Sequence, residues 1–178
     1  KGIPGSEEPF PLGEISNKKW NILNEDMPMP IMVLKNDEFN HNLRTFSDYL
    51  KQHNLSISPH GKTTMSPQIF YKQLEAGAWG ITAGAINQIQ VMHKYGIKKI
   101  LLANQLLGKS HLKTIAHLIN NDKYFSFYCF VDSIEQFQNI KDNLENIKLI
   151  NPINLLPEIG ASNGRTGIRS KERLLELI

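Results

Sequence analysis

Lys99-Ile100-Leu101-Leu102-Ala103-Asn104 is the stretch whose reading decides the fold. It is a short apolar run that ends on a polar residue, too brief to be a helix of its own. A segment with helical spacing follows, from Ser110 to Ile119, and then a second apolar run from Phe125 to Val131. Strand, helix and strand in that order form a unit whose two strands lie parallel.

Working outward, the same unit recurs. Upstream, Gly80-Ile81-Thr82-Ala83 reads as a strand, and the helix after it carries Ile86, Ile89 and Met92 and stops at Gly96. Before that, Leu55 to His60 reads as a strand, and Ser66-Pro67 opens a helix through Ile69 and Leu74 that stops near Gly77. Earlier still, Ile31-Met32-Val33-Leu34 reads as a buried strand. Asn36 or Asp37 can cap the helix that follows, with Phe39, Leu43, Phe46 and Leu50 at helical spacing. Downstream, Asp132-Ser133 begins a helix holding Ile134, Phe137 and Ile140. Ile153 to Ile159 is a further strand, and a last helix contains Leu174 and Leu175.

Six strand–helix units within residues 31–178 predict parallel α/β architecture. Residues 1–30, rich in Pro, Gly and Glu, are expected to be an N-terminal arm. No Gly-rich dinucleotide fingerprint follows the first strand, which argues against the common open sheet. Polar residues gather at strand C-terminal ends: His60 and Lys62, Thr82, Asn104, Asp132 and Glu158. Many strands contributing to one place favours a (β/α)8 barrel of the TIM type. A barrel needs eight strands and the chain supplies six units, ending within a helical pattern. The expectation is therefore the N-terminal part of a longer enzyme.

Composition narrows the function classes. The 178 residues are 40% hydrophobic and 21% charged, with a formal net charge of +3. No cluster of Lys and Arg reads as a nucleic-acid surface, and no apolar stretch is long enough to span a bilayer. The start of the chain lacks the apolar core of a secretory signal. The single cysteine, Cys129, rules out a disulfide within the chain and reads as a buried structural thiol. A cytoplasmic protein is expected.

Two clusters can carry chemistry. In Pro59-His60-Gly61-Lys62-Thr63-Thr64, residues 60, 62 and 64 share a face if the strand continues. A lysine directed into an enclosed site is costly unless it is paired, neutral or chemically modified, and an imine removes that cost. The alternative is a strand-end lysine that reaches solvent. In Glu158-Ile159-Gly160-Ala161-Ser162-Asn163-Gly164-Arg165-Thr166-Gly167, the glycines permit tight turns and Arg165 can meet an oxyanion or a ring face. The alternative there is an ordinary turn with a surface charge. His41, His53, His93, His111 and His117 show no metal-ligand spacing.

Taken together, the lysine motif, Gln73-Leu74-Glu75-Ala76-Gly77-Ala78-Trp79-Gly80-Ile81-Thr82, Leu101-Leu102-Ala103-Asn104-Gln105-Leu106-Leu107-Gly108 and Gly164-Arg165-Thr166-Gly167 resemble the fold-type III pyridoxal phosphate (PLP) enzymes with an alanine-racemase-like N-terminal barrel. The likeness is to the D-serine dehydratase and D-threonine aldolase branch, in particular to bacterial proteins called amino acid deaminases. It implies that Lys62 is the Schiff-base lysine, with His60 close to it. It implies that Arg165 lies beside the cofactor ring, and that Thr82 and Asn104 face the cofactor from strand ends. The implied activity is that of a PLP-dependent lyase on an amino acid: D-serine-like deamination or dehydration, or D-threonine-like aldol cleavage. A non-catalytic PLP-binding barrel is the alternative. The resemblance also implies that the phosphate-binding loops and a C-terminal β-domain with a metal-binding His and Cys lie outside these residues, and that the full-length protein is a homodimer. A piece of this length is expected to bind PLP weakly.

Overall fold

The computed structural model describes residues 3–5 and 7–178. The part of the expected arm formed by Lys1, Gly2 and Ser6 lies outside the described residues. The chain divides into two compact units, Lys1–Asn42 and Leu43–Ile178.

The first unit contains two 3-10 helices, Leu12–Lys18 and Ile22–Asn24, and the start of α1 (Asn36–Gln52). Phe10 and Trp20 meet edge to face, and Lys18 lies over the Phe10 ring while pairing with Glu7. Residues 31–34, expected as a buried strand, have no strand partner among the described residues. Met32 is 97% exposed. An apolar run becomes a strand only where a neighbouring strand takes up its N–H and C=O groups, and periodicity does not report that neighbour.

The second unit is an α/β layer. After α1 come α2 (Pro67–Glu75), β1 (Ile81–Ala83), α3 (Ile86–Lys94), β2 (Lys99–Gln105), α4 (Lys109–Asn121), β3 (Ser126–Val131), α5 (Ile134–Leu144), β4 (Ile153–Pro157) and α6 (Lys171–Leu177). The strands form one sheet in the order β1-β2-β3-β4, every pair parallel. The barrel is not closed, and four of the six expected strands belong to the sheet. The expected strand at residues 55–60 is reduced to an extended segment beside β1. Trp79 N–H donates to Ile57 C=O, Thr82 N–H to Pro59 C=O and Gly61 N–H to Thr82 C=O, with one bridge at His60 and Thr82. Pro59 has no N–H to give, so the ladder lacks a rung there.

Local signals end α2 and α3 as the sequence predicts, while Ser66, expected to cap α2, turns its hydroxyl to Gln68 and makes no cap bond. Gly77 and Gly96 hold φ of +98° and +80°, the left-handed turn that follows a helix. Ser133 and Ser170 accept the N–H groups of Gln136 and Arg173 as N-caps.

The two faces of the sheet differ. Ile81, Ile100 and Phe127, and then Ala83, Leu102 and Cys129, lie in register and are buried. They pack in one core with Ile89 and Met92 of α3, Leu112 and Ile115 of α4 and Ile140 of α5. Burial pushes the Cys129 thiol up to about 12, which makes it the inert structural cysteine expected. The opposite face carries Thr82, Leu101, Tyr128 and Asn154 in register, and only Thr82 among them is fully buried. No helix is long and apolar enough to cross a membrane among the described residues.

Candidate functional site

Because every strand runs the same way, the segments that follow them emerge at one end of the sheet. Lys62, Asn104, Asp132 and Glu158 all sit there, and so does the loop carrying Arg165.

Lys62 lies on a turn. The strand does not continue to residue 64: Met65 N–H donates to Gly61 C=O at 2.9 Å and closes a turn over residues 62–64. The alternation that would align residues 60, 62 and 64 therefore ends at His60. Gly61 makes the turn possible. A Cβ there would lie 2.7 Å from Met92 Cε and from Phe70 Cε1, inside the core. The Lys62 stem runs across Gly84, just past β1, where an added Cβ would come 3.3 Å from Lys62 Cδ. Lys62 and His60 are exposed and, among the described residues, make no side-chain hydrogen bond or ion pair.

Thr82 supports this turn from below. It is 2% exposed, its Oγ1 donates to the Ser58 carbonyl at 2.7 Å, and it lies 2.8 Å from the Ser58 hydroxyl. Its side chain is engaged with the segment that delivers Lys62. Asn104 is exposed within a bulge: β2 pairs Leu102 with Cys129 and next pairs Gln105 with Phe130. Together with Gly84, Asn87, Gln105 and His111, Asn104 lines a cleft of about 270 Å³ at the ends of β1 and β2. A larger groove of about 630 Å³, lined by Lys109, Lys113 and His117, lies on the outer surface of α3 and α4.

Arg165 projects from a loop closed on itself. Gly160 N–H donates to Ile168 C=O and Ile168 N–H to Glu158 C=O at 2.7 Å. Gly160 and Gly167 pack backbone to backbone, Gly167 at φ +96°, so side chains are excluded there. Arg169 donates to the carbonyls of Ala161 and Gly164. Arg165 itself is exposed and unpaired among the described residues.

One residue escaped the sequence reading. The bulge turns Gln105 onto the face of Tyr128 and Phe130, where its Nε2 donates to Asp132 Oδ2 at 2.9 Å and to Glu158 Oε2 at 2.8 Å. Its signal was its place as the last polar residue of β2, one position beyond Asn104.

No protein-family model matches the chain. It is 25% identical over 148 residues to the D-threonine aldolase of an Arthrobacter species, covering 83% of this chain and 38% of that protein. It is 23% identical over 154 residues to the 3-hydroxy-D-aspartate aldolase of Paracoccus denitrificans, covering 85% of this chain and 38% of the relative. The crystal structure of D-threonine aldolase from Filomicrobium marinum superposes with a TM-score of 0.77 and 27% identity, over 85% of this chain and 40% of that one. The class of protein that this chain resembles in fold and sequence is that of the alanine-racemase-like fold-type III PLP enzymes. Within it, the likeness runs to the D-threonine aldolase and 3-hydroxy-D-aspartate branch, over the N-terminal part of those enzymes. The chain spans well under half the length of the relatives it matches.

Proposed function

We propose that this chain is the cofactor-bearing N-terminal part of a PLP-dependent lyase acting on a β-hydroxy D-amino acid, with Lys62 as the residue to which PLP attaches. In this reading, residues 31–178 are the first part of a (β/α)8 barrel, and the full-length protein is a homodimer.

The observation that carries the proposal is the situation of Lys62. It is an unpaired primary amine on a core-anchored turn, at the end of a parallel sheet where ligands of such folds bind. The donor set fits the group. Lys62 supplies a nucleophilic amine, and the unpaired guanidinium of Arg165 leaves the same end of the sheet and suits an anionic ring oxygen. When bound, PLP supplies an electron sink for bond breaking next to the substrate's amino group. Lys62, with its amine free, would be the base for the proton on the substrate's Cα or hydroxyl. His60 stands two residues away and is free to exchange that proton with solvent. Thr82 contributes by holding the Ser58 segment in place, and Asn104 lines the adjoining cleft. The relatives named above are aldolases, and aldol cleavage and β-elimination both begin with proton removal from such a substrate, so the site alone supports either outcome. A metal, if used, would be held by residues of the remaining part of the protein.

The test is PLP titration of the full-length protein. A visible absorbance band is expected, fixed by borohydride reduction onto the Lys62 peptide and lost in Lys62→Ala. Absence of a band in the wild-type protein overturns the proposal. Uptake of PLP with no turnover of D-threonine, 3-hydroxy-D-aspartate or D-serine would identify a carrier instead.

A further inference from the structure

We infer that Gln105, Asp132 and Glu158 are positioning residues that set the loop presenting Arg165, an inference that rests on the reading of Arg165 as a cofactor contact.

The three come from the ends of β2, β3 and β4, and are separated by 27 and 53 residues from Gln105. An amide nitrogen has two hydrogens, and Gln105 Nε2 gives one to each carboxylate. Each carboxylate then holds the loop with a second acceptor position. Asp132 Oδ2 accepts the Gly167 N–H at 3.1 Å, and Glu158 Oε1 accepts the Thr166 hydroxyl at 2.8 Å. Thr166 and Gly167 are the two residues that follow Arg165, so both anchors grip the loop immediately beside the guanidinium-bearing residue.

The arrangement also restrains the carboxylates. Gln136 holds the Asp132 end of β3 from the other side: its Oε1 accepts the Asp132 N–H at 3.1 Å and its Nε2 donates to Phe130 C=O at 2.9 Å. Two partly buried carboxylates side by side repel unless donors satisfy both. Among the described residues the donors to the pair are neutral, and the amide of Gln105 is the one that joins the two carboxylates. Removing that amide leaves the carboxylates to separate or to take up water, and each carries its loop residue with it. Gln105 therefore acts on the cofactor site through the loop, without touching the cofactor.

The experiment compares Gln105→Met, Asp132→Ala, Asp132→Asn and Thr166→Val in the full-length protein with two readouts. The first is hydrogen exchange of the 160–168 amides without PLP. The second is the apparent PLP dissociation constant, read from the absorbance band. In Gln105→Met, loop exchange should accelerate and PLP affinity fall about tenfold, the size expected for losing a charge-assisted hydrogen bond. The yield of Lys62 attachment at saturating PLP should be unchanged. Asp132→Asn keeps an acceptor for Gly167 and should recover most of what Asp132→Ala loses. Thr166→Val removes one anchor at the loop itself and serves if the strand-end variants do not fold. Unchanged loop exchange in Gln105→Met and Thr166→Val overturns the inference, as does a freed loop with undiminished PLP affinity. If the wild-type protein takes up no PLP, the reading of Lys62 falls, and the exchange data alone decide whether the three residues hold the loop.

Discussion

The turn that carries Lys62 and the loop that carries Arg165 hold their candidate side chains by different balances of backbone and side-chain contacts. The Lys62 turn is anchored through its backbone. Gly61 is buried against Met92, Phe70 and Ile81, and the preceding residues hang from β1 by main-chain bonds and by Thr82. The Arg165 loop is closed by its own backbone bonds between Gly160, Ile168 and Glu158, and is tied to the strand ends through side chains: Asp132 and Glu158 beyond β3 and β4, and Arg169 beyond the loop. On the proposed reading Lys62 moves off the cofactor and returns, which needs a free side chain on a fixed backbone. A guanidinium that only has to meet an anion can sit on a loop whose position is set by polar contacts.

That contrast can be broken most severely at the glycines. Gly61→Ala forces a methyl group into the core and should cost about 1–3 kcal/mol of global stability. Chemical denaturation monitored by circular dichroism reads it directly. Gly160→Ala drives a methyl group into the Thr166 carbonyl and the Arg169 guanidinium, so it should open the loop. Its penalty stays local: amide exchange rises over residues 160–168 while the global midpoint moves little. Equal global losses for the two variants would mean that the loop and the turn share one cooperative unit.

A smaller effect is expected at the support of the turn. Thr82→Val keeps the buried shape and removes the hydroxyl bonded to the Ser58 carbonyl, at a cost of about 0.5–1.5 kcal/mol. Its fall in stability should come with weaker PLP uptake, because the Ser58 segment leads directly to Lys62. Lost stability with unaltered uptake would show that the turn is set by Gly61 alone.

The smallest effect lies away from both sites and provides a control. A hydrogen bond from Lys98 lowers the Asp122 carboxyl below its ordinary range against the opposing effect of burial, with help from the Tyr124 N–H and the charges of Lys98 and His93. A lowered folded value adds stability above the unfolded value, near pH 4, and that stability is lost as pH falls through the folded value. Asp122→Asn should flatten the acid limb of the stability profile and cost under about 1 kcal/mol at neutral pH, with PLP binding untouched.

Much of this was legible in advance because it is written in short windows. The helix ends at Gly77 and Gly96, the helix start at Ser133 and the buried Cys129 follow from local conformational preference and from period. The parallel arrangement follows from strands that alternate with helices. The strand expected at residues 31–34 failed on the same ground, since an apolar window does not say whether a partner strand lies alongside. The face shared by residues 60, 62 and 64 failed because a turn closed by the Gly61 carbonyl replaced the continuing strand.

The sequence by itself determined the α/β alternation, the helix boundaries and the lysine and glycine–arginine motifs that mark the candidate site. Only the tertiary structure decided which apolar runs join the sheet, that a bulge brings Gln105 between Asp132 and Glu158, and that Thr82 is engaged with Ser58. The physical reason is the range of the interactions. Capping, turn geometry and amphipathic period are settled among residues within a few positions of one another. Ladder partners and shared hydrogens are settled between groups that become neighbours only after the chain has folded.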